Sequence, residues 1–174
     1  MAGMRYPGSA LLVFRLLGRR GVGRRLELWE RDPAAHADLA GHFRPWPEVA
    51  VHLGDGYEGV ASLEGPSLVL VDPPGVDAAE RRRIVALLGL LCSKGVPFIC
   101  WTARLSGASG EAEDSRRMHE AACALGCRAV RVSWPRRGGR TIGCQLTVPP
   151  GVHGATAETV GQVCRVMGWT VEEP

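Results

Sequence analysis

The run Leu68-Val69-Leu70-Val71, followed at once by Asp72-Pro73-Pro74, constrains this chain more than any other feature. A short continuous apolar run bounded by turn residues reads as a strand covered on both faces. Strands of that kind belong to parallel sheets with helices on either side. The prolines after Asp72 fix the backbone φ and offer no N–H, so they stiffen the turn that carries the carboxylate. In α/β sheets ligands bind outside the carboxyl ends of the strands, which is where Asp72 would stand.

The flanking sequence alternates strand and helix signals. Ser9 is expected to cap a helix through Leu17, ended near Gly18 or Gly21. Leu26–Glu30 reads as a strand. Asp32-Pro33 opens a helix to about Phe43, with Asp32 as cap and Pro33 in the first turn. Val49–Leu53 is a second strand, and Asp55-Gly56 begins a short helical segment through Val60. Beyond the central strand, Asp77 and Glu80 have capping-box spacing. The helix they open carries Ile84, Leu87, Leu88 and Leu91 on one side and stops at Gly95. A strand over Val96–Trp101, a helix from Glu111 to Leu125, strands at Arg128–Ser133 and Thr141–Val148, and a helix from Ala157 to Met167 complete the pattern. The expected architecture is one α/β domain over residues 1–174. Its sheet is mostly parallel with helices on both faces, and a hairpin near the end adds an antiparallel strand.

Composition narrows the function. A 174-residue chain that is 45% hydrophobic can bury a real core. No apolar run reaches membrane-spanning length, and the first residues lack the regions of a signal peptide, so a cytoplasmic protein with no membrane partner is expected. The six cysteines include no C-x-x-C pair, so free thiols are expected rather than a metal site. Lys94 is the only lysine, and the net charge of +3 rests on arginine. Arginines cluster at Arg15, Arg19, Arg20, Arg24 and Arg25, and again at Arg136, Arg137 and Arg140. Such patches suit a phosphate backbone, or form solvated faces in an arginine-rich protein. No P-loop and no G-x-S-x-G element occurs. The histidines show no acid or nucleophile at useful spacing, and His36 is expected to be exposed.

Three acids each follow a strand. Glu30 can grip ribose hydroxyls, or be a surface carboxylate beside Arg31. Asp55-Gly56-Tyr57 can approach an adenine ring closely, or simply cap a helix. Asp72 can accept hydrogen bonds from an adenine amine as it becomes tetrahedral, which is what methylation of that poor nucleophile requires, or Asp72-Pro73-Pro74 can simply be the turn after a strand.

Tyr6-Pro7-Gly8-Ser9, the stretch from Leu26 to Pro33 with Glu30, Asp55-Gly56-Tyr57, Leu70-Val71-Asp72-Pro73-Pro74, Trp101, Gly143-Cys144 and Val148-Pro149-Pro150 occur in one order and spacing. In that ordered set the chain resembles the bacterial 23S rRNA adenine-N6 methyltransferase family. The resemblance implies a Rossmann-like methyltransferase fold, S-adenosylmethionine as cofactor and rRNA as partner. It implies cofactor contacts at Ser9, Glu30, Asp55 and Gly56, catalysis at Asp72, and substrate contacts at Pro73 and Pro74.

The sequence also departs from the family. A first strand and a glycine-rich loop that holds the methionine end of the cofactor have no counterpart before Tyr6. The neighbouring strands must then pair directly, or a partner chain or rearranged sheet must fill the gap; a homo- or hetero-oligomer would do so. Gly75 stands where the family has a base-stacking tyrosine. Trp101 could supply a ring instead, or be a core or interface tryptophan. Two readings follow: an RNA adenine methyltransferase, or a non-catalytic module that kept the scaffold and binds nucleic acid or protein.

Overall fold

A computed structural model describes residues 8–21, 23, 25–63, 67–73, 77–105, 110–134 and 141–172. The chain packs as two compact units, Met1–Ser62 and Leu63–Pro174.

In the first unit, α1 (Ser9–Arg19) precedes β1 (Leu26–Glu30), α2 (Pro33–Phe43), β2 (Val49–Leu53) and α3 (Gly56–Ala61). Gly8, not Ser9, occupies the N-cap of α1. The expected serine cap is therefore corrected, and Ser9 is the first helical residue. Asp32 does cap α2, accepting from the Ala35 N–H at 2.8 Å, and Pro33 fills the first turn, where its missing N–H costs nothing. β1 and β2 pair in parallel, with Leu26 opposite Val49 and Glu30 opposite Leu53. Phe14 from α1 sets its ring edge-on to Phe43 and Trp46, at centroid distances of 6.4 and 5.5 Å. Together with Leu11 and Leu26 these rings close the small core. Each such buried side chain contributes about 1.5–3 kcal/mol relative to exposure.

The second unit holds β3 (Val69–Val71), α4 (Ala78–Ser93), β4 (Phe98–Leu105), α5 (Gly110–Ala124), β5 (Arg128–Ser133), β6 (Thr141–Val148), α6 (Pro150–Met167) and β7 (Thr170–Glu172). Its sheet runs β3-β4-β6-β5-β7. Only β3 and β4 are parallel; β4–β6, β5–β6 and β5–β7 are antiparallel. The expectation of a mostly parallel sheet is thus corrected to a mixed one. The alternation of strand and helix stops at β5, and the hairpin and final strand reverse direction.

Asp77 caps α4 by accepting from the N–H groups of Ala79 and Glu80, both at 2.8 Å. Ile84, Leu87, Leu88 and Leu91 are all buried, as their spacing predicts. The helix-ending glycines Gly95 and Gly126 take φ of 66° and 84°, a left-handed conformation that residues with a Cβ avoid. Arg131 on β5 meets α5 through His119, whereas the adjacent Val132 packs against Cys164 of α6. Neighbouring strand residues point to opposite faces, so α5 and α6 cover opposite sides of the sheet.

The apolar run Leu68–Val71 behaves differently from a doubly covered strand. Val69 and Val71 are buried, but Leu68 and Leu70 are 65% and 48% exposed. Among the described residues β3 pairs only with β4, so it is an edge strand with one covered face. α6 begins at Pro150, well before the expected Ala157, because Pro150 serves as its first residue.

Candidate functional site

The parallel pair β1–β2 brings two of the three acids together. The Gly54 N–H donates to the Glu30 carbonyl at 3.0 Å, tying the strands at their carboxyl ends. Glu30 and Asp55 therefore leave the same end of the same strand pair. Glu30 Oε1 accepts from the Asp32 N–H at 2.8 Å, which orients the carboxylate and leaves Oε2 as its second acceptor. Asp55 accepts from the Tyr57 N–H at 2.9 Å and caps α3. Gly56 lies close to Trp29: a Cβ there would stand 3.6 Å from the tryptophan Cβ. At Gly59 a Cβ would fall 1.9 Å from Trp29 Nε1, so only glycine lets α3 lie on the indole. This contact fixes α3, and hence Asp55, over β1. It was not singled out from the sequence, although two glycines in a six-residue helix are its signal.

Two histidine expectations are corrected here. His52 has an acid partner: its Nε2 meets Glu27 Oε2 at 2.6 Å, and its ring stacks on Trp29. The partnership lies across the strand pair, so chain spacing does not reveal it. The hydrogen bond from His52, with Arg25 adding to it, draws the Glu27 carboxyl below its usual range against the opposing effect of burial. His36 is half-buried rather than exposed, and its Nε2 lies 3.3 Å from the Val51 carbonyl oxygen.

In the second unit Asp72 follows Val71 directly at the carboxyl end of β3, and Pro73 behind it is buried. Asp72 is exposed. The protein atoms around its carboxyl nonetheless raise its pKa above the ordinary aspartate value. Pro74 and Gly75 lie outside the described residues, as do Tyr6, Pro7, Arg24, Arg136, Arg137 and Arg140.

Trp101 sits on β4 with its ring packed against the buried cluster of Val132, Cys144 and Cys164, alongside Trp134 and Trp169. That placement is the core alternative raised for it from the sequence.

A polar row crosses the sheet of this unit and was not anticipated. Thr102, Gln145, Arg131 and Glu172 stand side by side on four neighbouring strands. Arg131 Nε donates to Gln145 Oε1 at 3.2 Å, and its Nη2 lies 3.0 Å from His119 Nε2. Glu172 pairs with Arg104 at 2.7 Å and accepts from Ser133. Thr102 Oγ1 is buried with no partner among the described residues. Polar residues at inward positions of otherwise apolar strands are the sequence signal for such a row.

His119 gives this row a pH response. Burial, reinforced by the Arg131 charge, lowers its pKa. The unfolded chain then takes up a proton before the folded one does. Stability is present above the ordinary histidine pKa and falls as pH drops below it. The melting temperature should decline between about pH 7 and about pH 5, and His119→Gln should flatten that slope. Identical slopes in both proteins would contradict the assignment.

No family model matches the sequence, and no curated protein matches it. Solved structures do. A protein from Legionella pneumophila superposes with a TM-score of 0.62 at 18% identity, over 86% of this chain and 60% of its own. The fold is Rossmann-like. Precorrin-6y C5,15-methyltransferase from Geobacter metallireducens is similar more loosely, with a TM-score of 0.48 at 16% identity over 81% of this chain and 73% of its own. Precorrin 8w decarboxylase from Methanobacterium thermoautotrophicum reaches 0.47 at 16% identity, over 77% and 74%. These looser likenesses add nothing to the fold assignment. This Rossmann-like chain spans about 60% of the length of the Legionella protein. Among its described residues no helix is long and apolar enough to cross a membrane.

Proposed function

We propose that this chain is an S-adenosylmethionine-dependent methyltransferase-type protein acting on an adenine amino group of RNA. The observation that carries the reading is the pair of acids at the carboxyl end of the parallel strands β1 and β2, Glu30 and Asp55, with the Glu30 carboxylate oriented by the Asp32 N–H. In a Rossmann-like fold these ends are where ligands bind.

Glu30 and Asp55 suit the nucleoside end of the cofactor. An oriented carboxylate with a second acceptor oxygen can take ribose hydroxyls. The cofactor would supply the methyl group. Asp72, the catalytic acid by the family resemblance, suits accepting a hydrogen bond and then the proton from the adenine amine. Its raised proton affinity makes it a better base than an ordinary aspartate. Pro73 holds the turn that carries it. Arg15, Arg19 and Arg20 are exposed on α1 and its end, where they can meet phosphates.

The second reading, a non-catalytic module binding nucleic acid or a partner chain, is favoured by β3, which among the described residues pairs only with β4, and by the exposure of Leu68 and Leu70. A strand from a second chain would cover that edge. Transfer of labelled methyl from S-adenosylmethionine to RNA rich in unpaired adenosine separates the two. The methyltransferase reading expects label in N6-methyladenosine after nuclease digestion. Salt-sensitive RNA binding with no label would leave only the module.

A further inference from the structure

Two of the six cysteines face each other across elements that the proposed chemistry does not use. Cys92 lies in the last turn of α4, and Cys127 lies between Gly126 and β5. Their Sγ atoms are 3.7 Å apart, although 35 residues separate them in sequence. The surroundings hold both in place. Gly95 donates to the Cys92 carbonyl at 3.1 Å, and the Cys127 N–H donates to the Ala122 carbonyl at 3.1 Å. Access differs between them: Cys92 is half-buried, whereas Cys127 is 5% exposed. A disulfide needs the sulfurs at about 2.05 Å, so the side chains must close the remaining gap by rotating about their χ1 angles.

We propose that Cys92 and Cys127 form a reversible oxidative modification site, closed to a disulfide by low-molecular-weight disulfides. The partially exposed Cys92 thiolate attacks one sulfur of the oxidant. The oxidant's S–S bond breaks, one small thiol leaves, and a mixed disulfide remains on Cys92. Cys127 then gives up its proton and attacks the Cys92 sulfur. The Cys92–Cys127 bond forms, the mixed disulfide breaks, and a second small thiol leaves. Two electrons pass from the protein thiols to the oxidant, and the two small thiols carry the two protons.

The order of events follows from the environments. Burial, and then the hydrogen bond with Cys92, push the Cys127 thiol up to about 12, which suits it poorly to attack a free oxidant. Against a sulfur already beside it, the high effective concentration of an intramolecular partner compensates. The closed bond ties the end of α4 to the start of β5 across a 35-residue loop that contains β4 and α5. A loop of that length, once cross-linked, loses freedom mainly in the unfolded chain, so the folded protein gains.

Incubating the whole chain with oxidised glutathione, alkylating the remaining thiols and mapping peptides by mass tests this. The expected product is a single cross-link joining the Cys92 and Cys127 peptides, with no glutathione retained on either. Its melting temperature should be higher by roughly 5–15 °C, and dithiothreitol should reverse the shift. In Cys127→Ser, glutathione should stay on Cys92. If that variant does not fold, the wild-type peptide map decides alone. Stable glutathione on Cys92 of the wild type, with Cys127 still free, would overturn the proposal. So would a cross-link that uses the exposed Cys123 in place of either thiol.

Discussion

Asp72→Asn should lower methyl transfer to adenine by roughly 100- to 1,000-fold, the loss typical of removing one group that stabilises charge in a transition state. Asparagine keeps the shape and one acceptor oxygen, but it neither carries the charge nor takes the proton. Binding of RNA should change little, so the loss should fall on kcat rather than KM. The stability of the variant gives an independent check. The folded-state pKa of Asp72 is raised, so the folded chain holds its proton to higher pH than the unfolded one. Stability contributed by the neutral acid is therefore lost as pH rises from the ordinary aspartate value through the raised one. At neutral pH Asp72→Asn should melt at the same temperature as the wild type or slightly above it, and the advantage should vanish in acid. A variant that is inactive and also strongly destabilised at neutral pH would show that Asp72 serves the fold rather than the chemistry.

The second large effect is structural. A Cβ built on Gly143 of β6 would lie 1.9 Å from the Val132 carbonyl oxygen and 3.2 Å from the Ser133 Cα. Both are backbone atoms of the paired strand β5, so no side chain can swing aside. Gly143→Ala should cost about 3 kcal/mol, or roughly 6–12 °C in Tm, because the strand pair must separate locally. Gly89 on α4 offers the opposite case. A Cβ there meets only Leu125 methyl groups at 3.7 and 3.9 Å, an ordinary contact. Gly89→Ala should stabilise by roughly 0.5–1 kcal/mol, the usual gain of alanine over glycine within a helix. Urea midpoints of the two variants should move in opposite directions. An unchanged midpoint for Gly143→Ala would mean that β5 and β6 are less closely paired than described.

The local elements were legible because their ends carry chemical signals. Asp32-Pro33, Asp77 with Glu80, and Gly126 mark helix boundaries by capping or by positive φ, and the structure places those boundaries within a residue or two. β1, β2, β5 and β6 keep the limits read from their apolar runs. What chain-local patterns cannot carry is pairing across strands. A continuous apolar run says that a strand dislikes water, not that something covers both of its faces; hence Leu68 and Leu70 at an edge. The Glu27–His52 pair and the row from Thr102 to Glu172 exist only through strand register. Pro149-Pro150 was read for its motif value, which hid its service as a helix start. β7 is too short to announce itself. Glu30, Asp55 and Asp72 are each legible as strand-end acids from the sequence alone. The reason Asp55 is held where it is, the Gly59–Trp29 contact, needed coordinates.

The central claim is that the acids at the ends of β1 and β2 hold the nucleoside of S-adenosylmethionine. Calorimetric titration of the folded chain with that cofactor tests it most directly. Saturable heat is expected, with affinity weakened about tenfold by Glu30→Ala, as for losing a charge-assisted hydrogen bond. No heat at millimolar cofactor, from protein that circular dichroism shows to be folded, would contradict it.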